Sequence, residues 1–140
     1  MTWRRTAGGQ AAVAVLLGLT GLAVAGMLPL LTEPSSEPRD IVVVARGMAF
    51  YLDGESQPNP RIRVEAGEMV RLILRNEQSG VAHNFVVDAW DVATARLDGP
   101  SSNAVVFRVP DRIGRYAYEC SPHRSMMRGT IEVVASFARR

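Results

Sequence analysis

A chain of 140 residues has room for one domain of ordinary size, and its single cysteine excludes an internal disulfide. All 16 basic residues are arginine; setting aside the two ahead of a long N-terminal apolar run leaves 14 against 14 acidic residues. The remainder is therefore neutral, with no basic run interleaved with aromatic residues, and nothing points to nucleic acid as a partner.

The chain opens Met1-Thr2-Trp3-Arg4-Arg5 and then carries no charge from Thr6 to Thr32. Ala11 to Leu31 is apolar all round and reaches the roughly 20 residues that cross a bilayer as a helix. Residues 1–31 are thus expected to form one N-terminal hydrophobic helix, acting as a signal peptide or a membrane anchor. Ala23-Val24-Ala25 has the small-x-small form of a signal-peptidase site. Cleavage there would leave Met27-Leu28-Pro29-Leu30-Leu31 as an apolar tail on a soluble protein, which favours a retained anchor. Arg4 and Arg5 would stay on the cytoplasmic side, placing the rest of the chain on the periplasmic or extracellular face of the membrane. Residues 32–40 include Thr32-Glu33-Pro34-Ser35-Ser36-Glu37-Pro38 and read as a Pro/Ser-rich linker, so the folded domain is expected over 41–140.

Within that domain strand follows strand. Ile41 to Ala45 is β-branched and apolar, Arg61-Ile62-Arg63-Val64 alternates, and Val70, Leu72 and Leu74 share one face with Arg71 and Arg75 on the other. His83, Phe85 and Val87 alternate in the same way, as do Val105, Phe107 and Val109, then Tyr116, Tyr118 and Cys120, then Ile131 and Val133. Asp53-Gly54, Pro58-Asn59-Pro60, Asp98-Gly99-Pro100 and Pro110-Asp111 punctuate the gaps. No segment after residue 40 has a helical period. The pattern predicts an all-β fold, a β-sandwich with Greek-key connections. Asp88 to Ser102 lacks a clear period and is expected to be irregular or to hold a short helix, with Trp90 as a packing residue.

The chemistry concentrates in Tyr118-Glu119-Cys120-Ser121-Pro122-His123-Arg124-Ser125-Met126-Met127-Arg128-Gly129-Thr130-Ile131, which packs thiolate, imidazole and thioether donors into one loop between two strands. A trigonal His₂Cys set with a weak axial Met suits copper, and it needs one further imidazole. The chain has two histidines and one cysteine. The second histidine is His83, in Val81-Ala82-His83-Asn84-Phe85. Each residue alone has an ordinary explanation, Cys120 as a small buried hydrophobe and Met126 and Met127 as core filler. Their conjunction does not.

On His83-Asn84 after a strand, Gly114 to Cys120 leading into the loop, and Met127-Arg128-Gly129-Thr130-Ile131 leading out, residues 41 to 134 resemble the cupredoxin family of small blue-copper proteins, the group of plastocyanin, azurin, pseudoazurin and amicyanin. The resemblance implies one type 1 copper with His83, Cys120 and His123 as strong ligands and Met127 as the axial one. Met126 is the alternative axial ligand, because it lies at the shorter His-x-x-Met spacing of amicyanin. Met127 keeps the family's distance to the glycine that starts the last strand. Asn84 is placed to tie the first-ligand strand to the copper loop. Glu119 falls on the outer face of its strand, where plastocyanin carries a tyrosine.

The function implied is a one-electron carrier rather than an enzyme: multicopper oxidases and copper nitrite reductases need further histidines, and a binuclear centre needs a second cysteine. The alternative is a cell-surface or periplasmic copper carrier or sensor using the same ligands. Expected partners are redox proteins meeting the edge of His123, flanked by Arg124 and Arg128, with the domain itself monomeric.

Overall fold

The computed structural model describes residues 37–136. The apolar run expected to form an N-terminal helix lies outside the described residues, among which no helix is long and apolar enough to cross a membrane. Among the described residues nine strands follow in order: β1 (Arg39–Arg46), β2 (Ala49–Leu52), β3 (Arg61–Glu65), β4 (Met69–Asn76), β5 (Val86–Val87), β6 (Val92–Ala93), β7 (Ser101–Arg108), β8 (Gly114–Glu119) and β9 (Arg128–Val134). Two single 3₁₀ turns, Asp88–Trp90 and Ser121–His123, are the only helical segments among the described residues.

The strands form two mixed sheets, ordered β2-β1-β4-β7 and β3-β9-β8-β5-β6. β1 runs parallel to β4 and β3 parallel to β9, and the other pairings are antiparallel. Both sheets turn their apolar faces to one core. From the first come Ile41, Val43, Ala45, Phe50, Val70, Leu72 and Leu74; from the second Ile62, Val64, Val87, Tyr118, Ile131 and Val133, with Phe85 just ahead of β5. Phe50 joins them directly, edge-on to Phe85 and to Tyr118 at centroid distances of 5.4 and 5.7 Å.

Three differences from the sequence reading have local causes. Arg39 and Asp40, expected in the linker, are the first residues of β1, paired with Val70 and Arg71, and the side chain of Arg71 clasps Asp40 through two bonds of 2.7 Å. β2 is an additional strand, bounded by the Gly47-Met48 and Asp53-Gly54 turns. The strand expected from His83 to Val87 shrinks to β5. Around Phe85 the backbone pairs with Thr94 instead of with a continuous ladder: the Phe85 amide donates to the Thr94 hydroxyl and its carbonyl accepts from the Thr94 amide, each at 3.0 Å. His83 then makes an isolated bridge to Leu97. The inward alternation of His83, Phe85 and Val87 survives, all three being buried.

Candidate metal centre

His83 enters the site on a segment held by a buried hub. Asn76, at the end of β4, donates from Nδ2 to the carbonyls of Val81 and Leu97 at 2.9 and 3.0 Å and accepts from the Gln78 amide at 2.9 Å. Leu97 in turn exchanges two backbone bonds with His83, of 3.0 and 2.8 Å. The imidazole is pinned as well. Its Nε2 lies 3.1 Å from Gln78 Oε1, an acceptor that keeps the proton on Nε2 and leaves the Nδ1 lone pair free to bind a metal. Burial, and after it the neighbouring His123 ring, holds the His83 pKa below the usual histidine value.

The other donors sit on one loop that closes on itself. β8 ends beside Cys120, Pro122 sits in the first half of the 3₁₀ turn that follows, and the His123 amide donates to the Cys120 carbonyl at 3.1 Å. The His123 carbonyl accepts from both Met126 and Met127 amides at 2.9 Å, and the Cys120 amide donates to the Met127 carbonyl at 2.9 Å. Asn84 ties this loop to the His83 segment: its Oδ1 accepts from the Ser121 amide at 2.8 Å and its Nδ2 donates to the Ser121 hydroxyl at 3.1 Å.

These supports bring His83, Cys120 and His123 together, with their ligand atoms within 4.8 Å of one another. Cys120 Sγ lies 3.7 Å from His83 Nδ1 and 3.6 Å from His123 Nδ1, and the two rings are 5.1 Å apart. Bonds of about 2.0–2.3 Å to nitrogen and sulfur, opened by tetrahedral to trigonal angles, put those atoms about 3.6–3.8 Å apart. The donor set thus has the spacing that a metal bound by nitrogen and sulfur needs, and the composition that suits copper. His83 and Cys120 are fully buried, whereas His123 is half-exposed. Of the two methionines, Met127 is buried in the core and Met126 is 53% exposed.

Glu119 is on the outer face of β8 as the period of two requires, but it is not in solvent. It is buried, with Oε1 2.7 Å from Arg124 Nε, off the line of a hydrogen bond, and Arg124 also approaches Asp88 at 3.7 Å. Arg124 is accordingly paired within the chain. Trp90 packs against Tyr116 and Phe107 at 5.0 and 5.9 Å. Gln78 and Asn76 escaped the sequence reading. A polar residue at the end of a strand carries no mark of burial, and only the folded segment brings Gln78 to the His83 ring.

A family model described as copper binding proteins, plastocyanin/azurin family, matches residues 55–134. Among curated proteins none matches the chain. Several solved structures resemble it. Auracyanin B is 26% identical, with a TM-score of 0.56 over 70% of this chain and 91% of that one. Auracyanin A, a "blue" copper protein from the green thermophilic photosynthetic bacterium Chloroflexus aurantiacus, is 19% identical, with a TM-score of 0.57 over 70% of this chain and 100% of its own. Rusticyanin from Thiobacillus ferrooxidans is 23% identical, with a TM-score of 0.52 over 68% and 76% of the two chains.

Proposed function

Because the chain belongs to the plastocyanin/azurin family of copper-binding proteins, we propose that it is a one-electron carrier using a single type 1 copper. His83, Cys120 and His123 are its strong ligands and Met127 the axial one. Bound copper supplies the Cu(II)/Cu(I) couple. The chain's own part is to hold the donors still. The Nδ1 atoms of His83 and His123 at 3.7 and 3.6 Å from the Cys120 sulfur carry the reading. The bonds from Gln78, Asn84 and the loop's own backbone resist displacement of those donors when the charge changes, which keeps the reorganisation energy low. Burial of Met127 beside exposure of Met126 supports the longer loop spacing for the axial ligand.

His123 is the half-exposed ligand, and its outer edge is where a redox protein would meet the centre. Arg124 serves that contact less than its position suggested, since Glu119 engages it, which leaves Arg128 as the exposed cation nearest in sequence. Both histidines of the chain belong to this one cluster, leaving none for the second copper centre of an oxidase. The domain works as a monomer outside the cytoplasmic membrane, held there by residues 1–31 as a retained anchor, with redox proteins and not nucleic acid as its partners.

The second reading, a copper carrier or sensor, uses the same ligands; the complete burial of His83 and Cys120 stands against rapid hand-over of metal. Optical spectroscopy and voltammetry of the copper-loaded protein test the proposal. An intense blue thiolate band and reversible cycling without metal loss are expected, and copper lost on reduction would favour the carrier. Cys120→Ser should abolish the band while the protein still unfolds cooperatively; an intact band would sink the ligand assignment.

A further inference from the structure

Asn59 lies between Pro58 and Pro60 in the connection from β2 to β3, far from the ligands in sequence, with a backbone φ of 48°. Asparagine tolerates that left-handed region better than most side chains. Its amide and both polar atoms of its side chain find partners within the chain. The amide donates to the Phe50 carbonyl at 2.7 Å, Oδ1 accepts from the Phe50 amide at 3.1 Å, and Nδ2 donates to the Met126 carbonyl at 2.9 Å. The carbonyl of the next residue, Pro60, accepts the buried Tyr118 hydroxyl at 2.6 Å. One short segment thereby braces both arms of the ligand loop, before Cys120 and before Met127.

The Met126 carbonyl and the Met127 amide belong to one planar unit. That plane is gripped at both ends: the carbonyl by Asn59 Nδ2, the amide by the His123 carbonyl at 2.9 Å. With both ends held, the direction in which the Met127 side chain leaves the backbone is set. We infer that Asn59 is a positioning residue for the Met127 thioether, acting across the molecule through the Met126–Met127 peptide. The inference rests on Met127 being the axial ligand.

Losing the Asn59 donor frees that peptide to rotate and lets the thioether withdraw. A weaker axial donor stabilises Cu(II) less, so the reduction potential rises. Asn59→Gly keeps the left-handed turn and removes the side chain. The full-length protein in detergent would be compared as wild type, Asn59→Gly, Met127→Gln and the double variant, by potentiometry of the copper-loaded forms. Hydrogen exchange of the peptide spanning residues 120–127 would be followed in the copper-free forms.

The expected result is a raised potential for Asn59→Gly, disappearance of that rise in the Met127→Gln background, and roughly fivefold faster exchange of the loop, as for one lost hydrogen bond. A folded Asn59→Gly protein with the wild-type potential overturns the inference, and so does an equal rise in both backgrounds. A Met127→Gln protein with the wild-type potential removes the axial assignment itself, and with it the inference. If Asn59→Gly fails to fold, Asn59→Asp keeps the acceptor for the Phe50 amide. Its added charge acts alike in both Met127 backgrounds, so the difference between them reads the same coupling.

Discussion

At the scale of single residues, His83 is kept neutral mainly by burial and then by the His123 ring beside it. A base whose folded pKa is depressed binds protons more readily when unfolded, so its neutral form contributes fully above the unfolded value of about 6.5 and is undermined as pH falls below it. The copper-free protein should therefore keep a constant urea midpoint from pH 8 to pH 7 and lose stability between pH 6.5 and pH 5.5, before most carboxylates titrate. A flat midpoint across that window would contradict the His83 environment. The two methionines separate by potential. Met127→Gln brings a harder oxygen donor to the axial position and should lower the potential with copper retained. Met126→Gln changes an exposed side chain and should leave it nearly unchanged; the reverse ranking by potentiometry would make Met126 the ligand.

At the scale of elements, the β8–loop–β9 unit depends on two contacts that fix where β8 ends. Glu119 is a carboxylate buried on the outer face of β8 and faced by Arg124, which is itself 59% exposed. Removing the cation leaves a buried charge without its partner, and because Arg124 is so open to water the cost is discounted from that of a fully buried pair. Arg124→Ala should lower stability by about 1–2 kcal/mol in denaturant titrations, and the added change Glu119→Gln should restore most of it. Failure of that rescue would mean that Arg124 acts through packing. The other contact is steric. Gly129, the second residue of β9, pairs with Tyr118, and a Cβ there would meet the Tyr118 hydroxyl inside van der Waals contact. Gly129→Ala is thus expected to cost about 1–3 kcal/mol by overpacking, read as a lower denaturant midpoint, and to disturb the phenol's bond to Pro60.

At the scale of the whole molecule, the retained-anchor reading predicts that the full-length protein fractionates with membranes and resists washing with salt, whereas a soluble form beginning at Gly26 would identify Ala25 as a cleavage site. The ligand types and the all-β class were legible in the sequence because each depends on local signals: side chains alternating with a period of two, and donor residues crowded into one short loop between two strands. His83 could be attached to that loop because the chain has no other histidine left to supply the second imidazole. Of the supports of the site, the Asn84 tie to the copper loop was legible, and the others were not. Gln78 reaches the His83 ring and Arg124 the Glu119 carboxylate through the way each loop folds back, and Asn59 reaches the Met126 carbonyl across 67 residues of chain. The length of β5 was settled in the same way, by Thr94 taking over the Phe85 amide. Which donors this chain offers is a property of composition and spacing. How firmly each is held depends on the conformation of the loops and on bonds such as those of Asn59 and Asn84 between distant segments, and those exist only once the tertiary structure has formed.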